Sequence, residues 1–181
     1  EHQLQDLTDP HIFGMFCAYC RDVLGQGLLG NYGYLNGITL AHVCAHISQT
    51  YDSWRRHIPV EFARLLWMPS QVQSQAALPF LQAEVESFQQ SVEQWLDRPV
   101  SESALRRAIA VYDDNRRLLR ALYEQRKEQR PRISGRAAME VVIASTVMDK
   151  TEHSRLLEEL LAEPGRPQDG VRLMVVGSEN N

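Results

Sequence analysis

From Leu78 to Leu96 the apolar residues Leu78, Leu81, Val85, Phe88, Val92 and Leu96 recur every three or four positions among polar neighbours. That period predicts a helix with a single apolar face, ended by Arg98 and Pro99. Ser101 is placed to cap the next helix, in which Leu105, Ile109, Tyr112, Leu119, Leu122 and Tyr123 keep the same spacing as far as the charged run before Pro131. Ser134 opens a third through Met139, Val142, Ile143 and Val147. Asp149, three residues before Glu152, opens a fourth that carries Leu156, Leu157, Leu160 and Leu161 and stops at Pro164 and Gly165. After the loop GRPQDG, the run VRLMVV between Gly170 and Gly177 reads as a buried strand.

The first part of the chain has a different rhythm. FCAYCRDVLGQGLL is helix-patterned through Phe13, Phe16, Cys17, Cys20 and Leu24. GITLAHV (Gly37 to Val43) and PVEFARLLWM (Pro59 to Met68) are apolar runs separated by the amphipathic HISQTYDSWRR. Strand, helix, strand is the simplest assignment, a βαβ unit with a right-handed crossover.

Composition narrows the class. A chain of 181 residues and 20.7 kDa can build one substantial core or two small ones. Hydrophobic residues at 44% and charged residues at 23% are ordinary soluble usage, and no apolar run approaches the roughly 20 residues that cross a bilayer. No membrane partner is expected. The net charge of -4 gives no bulk attraction to nucleic acid, so none is expected as a partner either. The basic run from Arg116 to Arg136 is interleaved with Glu124 and Glu128, as on a solvated helix face; the other reading is a docking face. The polar, acidic start EHQLQDLTDPHIF has no signal-peptide pattern, and three cysteines are an odd number, so a reducing cytoplasm is the expected compartment and a structural disulfide is not. A start on Glu1 and a stop just after a fresh strand suggest a piece of something longer.

The candidate chemistry is concentrated between Phe16 and His46. Gly25, Gly27 and Gly30 match the dinucleotide string G-x-G-x-x-G, with Asp52 at a suitable distance, but such a string must follow a strand and open a helix. Here a helix precedes it and a turn follows, so it reads as a glycine-rich helix end. Cys17, Cys20, Cys44 and His46 could form a tetrahedral zinc set, although a single C-x-x-C with H-x-C-x-H is weaker than two knuckles. Three cysteines packed in a core are a further reading. An iron–sulfur site is the fourth, since Cys17 at a helix start and Cys44 after a parallel strand lie on elements able to converge.

The segment CAYCRDVLGQGLLGNYGYLNGITLAHVCAHISQTYDSWRR resembles the first cysteine region of the benzoyl-CoA reductase and 2-hydroxyacyl-CoA dehydratase family. The resemblance continues through IPVEFARLLWMPSQVQSQAALPFLQAEVESF, SESALRRAIAVYDDNRRLLRALYE and ISGRAAMEVVIASTVMDKTEHSRLLEELL, nearly the whole chain from Cys17 onward. It implies an α/β, helix-dominated architecture: a partial Rossmann-like, cluster-bearing α/β lobe over residues 1–74, a helical segment over 75–165, and over 166–181 a linker and the first strand of a second α/β lobe. It implies a 4Fe-4S cluster with Cys17 and Cys44 as ligands and Cys20 as packing or a spare ligand. It also implies a related cluster-bearing subunit as heterodimer partner, an ATP-hydrolysing iron–sulfur activator and an acyl-CoA substrate. In the dehydratases an electron makes a ketyl radical from the thioester; in the reductases electrons enter the ring of benzoyl-CoA, in anaerobic aromatic degradation. The AHVC, YDSWRR and WMPSQVQS segments look more like the reductase side.

The sequence departs from the family pattern in three places. Ala45 stands where the residue after the second cysteine is typically Asp, the third cluster cysteine belongs to a lobe expected beyond Asn181, and a segment before Glu1 is missing. The arginine that commonly follows the first cysteine is matched by Arg21, without a role. The piece alone is expected to hold an incomplete site and to be inactive.

Overall fold

The computed structural model describes residues 6–167 and 169–171. The chain divides into two compact units, Glu1–Val100 and Ser101–Asn181.

In the first unit, helix α1 (Ala18–Leu28) leads through a turn to strand β1 (Gly37–His42). Helix α2 (Ala45–His57) then crosses over to strand β2 (Phe62–Trp67), and helix α3 (Ala77–Leu96) follows. The strands pair in parallel, from Gly37 opposite Phe62 to His42 opposite Trp67, so the expected βαβ unit is present and the fold is the helix-dominated α/β expected. The core lies between α1 and α2, where Leu24, Cys20, Tyr51 and Trp54 are buried with Ile12, and Tyr32 stacks on Trp54 at 5.4 Å. Three basic residues, Arg55, Arg56 and His57, occupy the last turn of α2, where the helix dipole favours positive charge.

Helix α3 is held by β2 through one side. Trp95 stacks on Phe62 with ring centroids 4.8 Å apart, Arg64 donates to Ser87 Oγ at 2.8 Å, and the Trp67 N–H donates to Glu84 at 3.2 Å. The helical stretch expected from residue 75 is thus divided: α3 packs on the sheet, and the helices from Ser101 form a unit of their own.

The second unit contains α4 (Glu102–Lys127), α5 (Gly135–Val147) and α6 (Lys150–Ala162). Each starts where a capping side chain was expected. Ser101 accepts from the Ala104 N–H at 3.2 Å, Ser134 from Ala137 at 3.1 Å, and Asp149 from Thr151 and Glu152 at 2.9 and 3.1 Å. Gly165 follows the last helix in left-handed conformation, φ 55°. Leu118, Leu122, Ile133, Ala138 and Leu157 form the core. A polar network is buried beside it: Asn115 Nδ2 lies 2.7 Å from His153 Nδ1 and donates to Ser154 Oγ at 2.9 Å, while His153 Nε2 faces the Val141 carbonyl at 3.1 Å. The carbonyl requires a donor, so Nε2 carries the proton and Nδ1 accepts from Asn115.

The basic run of α4 is largely occupied. Arg116 pairs with Asp113, Arg117 with Asp114 at 2.7 Å and Lys127 with Glu124 at 2.6 Å; Arg126 donates to the Ile133 carbonyl at 3.0 Å. No helix among the described residues is long and apolar enough to cross a membrane. The strand expected over VRLMVV falls, beyond Val171, outside the described residues.

Two substitutions test this packing. A Cβ at Gly27 would press on the Ile58 side chain and come within 3.0 Å of the buried Trp54 ring, so Gly27→Val is expected to lower stability by about 1–3 kcal/mol in urea unfolding. Asn115→Ala leaves a histidine nitrogen and a hydroxyl buried without their partner, and is expected to cost about 1–3 kcal/mol in the same measurement.

Candidate functional site

The parallel pair sends the chain out at its carboxyl edge, the side on which open α/β sheets collect ligands. β1 ends at His42, and Cys44, two residues later, is the N-cap of α2 in extended conformation. Cys17 is the N-cap of α1. Neither cysteine side chain accepts a capping hydrogen bond from its helix, and both residues are exposed. The helix starts that carry them are joined by one bond: the Cys17 backbone N–H donates to His46 Nδ1 at 3.3 Å.

His46 sits in the first turn of α2, held from two sides. Its ring stacks on Phe16 at 4.3 Å between centroids, nearly parallel, and its carbonyl accepts the Thr50 hydroxyl at 2.8 Å. Across the strand ends His42 stacks on Trp67 at 4.4 Å, and half of the Trp67 surface stays open.

The approach to Cys17 is organised by Arg21. Its guanidinium pairs with Asp9 and donates to the Gly14 carbonyl at 2.9 Å, which ties the loop before the cysteine to the first turn of α1. The residue after C-x-x-C therefore has a structural role that its position in the sequence does not disclose.

Cys20 differs from the other two. It is 1% exposed, and burial pushes its thiol up to about 11. Hydrogen bonding by Thr50 offsets part of that rise, and the Cys17 and Cys44 sulfurs add to it. At neutral pH Cys20 is therefore a protonated thiol in a core.

The glycine string lies at the opposite end of α1. Gly25 and Gly27 are inside the helix, Gly30 follows it with φ 78°, and the carbonyls of Gly25 and Gly27 accept from Leu29 and Gly30 at 3.0 Å each. A helix C-terminus offers carbonyl oxygens, the wrong polarity for a phosphate.

For a metal or cluster the donor set fits in part. Two exposed thiols stand at the positive ends of two helices, surroundings that suit thiolates bound to an anionic cluster. No group of three or more His, Cys, Asp or Glu residues among the described ones could hold a metal ion. The zinc set loses His46 Nδ1 to the Cys17 amide and Cys20 to the core. Ala45, the first residue of α2, offers no side-chain acceptor. Cys17 and Cys44 could offer two thiolate donors, fewer than a metal or cluster needs.

Comparison with known proteins decides the family. The family model of the 2-hydroxyglutaryl-CoA dehydratase D-component matches residues 1–181. The chain belongs to that family. Similar proteins include the beta subunit of lactoyl-CoA dehydratase from Anaerotignum propionicum, 27% identical over 165 residues, which are 89% of this chain and 43% of that protein. One of the subunits of benzoyl-CoA reductase from Thauera aromatica is 22% identical over 166 residues, 90% of this chain and 43% of its own length. The (R)-phenyllactyl-CoA dehydratase beta subunit of Clostridium sporogenes is 21% identical, over 89% of this chain and 44% of its own. The chain thus spans less than half the length of these relatives.

Sequence reasoning named both cap cysteines but missed His46 as the link between them. The H-x-C-x-H spacing was the available signal, and it suggested ligation instead of a hydrogen bond to the other cysteine's backbone.

The contrast among the three thiols is measurable. In metal-free protein, iodoacetamide is expected to modify Cys17 and Cys44 first, and Cys20 about a hundredfold more slowly than an ordinary thiol at pH 8. The Cys20 rate should climb with pH toward about 11, where the thiolate becomes the major form. Time-resolved peptide mass spectrometry reads all three.

Proposed function

We propose that this chain is the cysteine-bearing part of a subunit of an iron–sulfur enzyme acting on acyl-CoA thioesters, with Cys17 and Cys44 as two ligands of a 4Fe-4S cluster. The observation that carries the reading is the pairing of two exposed cysteine N-caps, joined through His46, at the carboxyl edge of a parallel strand pair. When bound, such a cluster supplies single electrons of low potential, the chemistry that a thioester or an arene demands. Those electrons come from an ATP-hydrolysing activator, and the enzyme is completed in the cytoplasm by a related subunit.

The chain's own residues have simpler tasks. The two N-caps hold thiolates at helix ends, where negative charge is favoured. His46 fixes the backbone of Cys17 against α2, Arg21 fixes the loop leading to it, and Phe16 covers His46. Cys20 fills the core below and stays out of the ligand set.

Two substrate readings are supported by different observations. Reduction of an aromatic acyl-CoA, as in benzoyl-CoA reductase, is favoured by the AHVC, YDSWRR and WMPSQVQS segments and the match to the Thauera protein. Dehydration of a 2-hydroxyacyl-CoA is favoured by the 27% identity to the lactoyl-CoA enzyme and by the family itself.

Anaerobic reconstitution of the full-length protein with iron and sulfide is expected to give the broad visible absorbance of a cluster, and Cys17→Ala and Cys44→Ala should each abolish it. Tight zinc with no bound iron would sink the reading. With activator and partner subunit present, the complex is then offered benzoyl-CoA and a 2-hydroxyacyl-CoA in turn. Turnover of the first alone selects the reductase reading, and of the second alone the dehydratase.

A further inference from the structure

The C-x-x-C of α1 has a geometry that the cluster reading leaves unused. Cys17 is the N-cap and Cys20 the third residue of the helix, the two positions that a capping interaction brings together. On a helix, side chains three apart have Cβ atoms about 5–6 Å from one another, whereas a disulfide needs about 3.5–4.5 Å, so closure draws the side chain of the non-helical N-cap toward the third residue. Here one member is exposed to solvent and the other is 1% exposed. An exposed thiol at a helix N-terminus with a buried thiol one turn inside is the arrangement of an attacking and a resolving cysteine. Cys44 is the N-cap of a different helix and holds no such position on α1.

We propose that Cys17 and Cys20 form a reversible redox dithiol, closing to a disulfide across the first turn of α1 by exchange with a low-molecular-weight disulfide such as oxidised glutathione. The Cys17 thiolate attacks one sulfur of glutathione disulfide and releases one glutathione. Cys20 then displaces the second from the mixed disulfide. One S–S bond is broken in the oxidant and one formed in the protein, and the two thiol protons end on the two glutathiones released. The dithiol is oxidised by two electrons and the glutathione disulfide is reduced. In a reducing compartment such a pair rests as thiols, which is the usual setting for redox-sensing cysteines. A closed pair withholds Cys17 from any other partner and keeps it from further oxidation, so it is recovered on reduction.

This inference stands apart from the cluster reading, and its test uses iron-free protein. The full-length protein is stripped of iron under reducing, anaerobic conditions and equilibrated in buffers of varied reduced-to-oxidised glutathione ratio. Free thiols are then alkylated and the protein is cut with trypsin. Cys17 and Cys20 lie on one peptide ending at Arg21, and Cys44 lies on the next. As the buffer becomes more oxidising, the first peptide is expected to lose two hydrogens and escape alkylation, to recover with dithiothreitol, and to leave Cys44 alkylated. A cross-link between the two peptides, or alkylation of both cysteines at every ratio, overturns the proposal. In Cys20→Ala the resolving thiol is gone, and a glutathione adduct should accumulate at Cys17. An unmodified Cys17 in that variant also counts against it, and the wild-type titration decides the matter should the variant fold poorly.

Discussion

One hydrogen bond, from the backbone N–H of Cys17 to His46 Nδ1, joins the starts of two helices through residues 29 positions apart in the chain. It does so with a group that a helix start leaves over. The first backbone N–H groups of a helix have no acceptor in the preceding turn, and a donor so close to the surface is satisfied by water, a cap or a neighbour. In α1 the N-cap amide finds a ring on α2. Because that ring is stacked on Phe16, the residue just before Cys17, the contact is made twice, once through the backbone and once through a face.

That junction holds only because the helices behind it are packed. Gly27 lets α1 approach the Trp54 ring of α2, closer than any side chain would allow, and Leu24 and Tyr51 fill what remains. The sheet contributes direction more than mass. Its strand residues are largely covered but none is fully buried, and their parallel register delivers His42 and Trp67 to the same edge, from which the chain turns directly into Cys44. Burial on one side of α2 therefore fixes thiols on its exposed end, a separation of stability from chemistry that lets the site residues stay open to solvent.

Much of this was legible in the sequence, for local reasons. The three serine and aspartate caps were readable because a cap is decided by neighbours within three residues, and both strands were readable from apolar runs bounded by turn residues. Cys17 and Cys44 could be named together because one opens a helix and the other follows a parallel strand, and their role as ligands only through resemblance, since no local rule brings residues 27 apart together. His46 was seen only as one possible zinc ligand among several readings: spacing can show that a histidine flanks a cysteine, but not which of its nitrogens is already engaged. Arg21 is similar, because its partners, Asp9 and the Gly14 carbonyl, lie in an irregular loop without a period. The apolar stripe of α3 was correct as a pattern and silent about its partner. The same six-residue stripe could face other helices or a sheet; its Phe88 meets Phe62 of the sheet, next to the Trp95 stack, while Leu78, Val85 and Leu96 stay exposed.

Helix α1 carries two motifs that compete for interpretation, and its polarity separates them. At its start, Cys17 stands where amide hydrogens point outward and negative charge is favoured. At its end the chain presents carbonyl oxygens, and those of Gly25, Gln26 and Gly27 are engaged by the turn that follows. The glycines are there for close packing and a left-handed exit, as the φ of 78° at Gly30 requires. A phosphate loop and a glycine-rich helix end can be written in identical letters, and so can a metal knuckle and a capped helix with one buried thiol. In both cases the deciding quantity is where the residues sit along the helix axis: an anion, a thiolate or a cluster is served by the first turn, and nothing of that kind is served by the last.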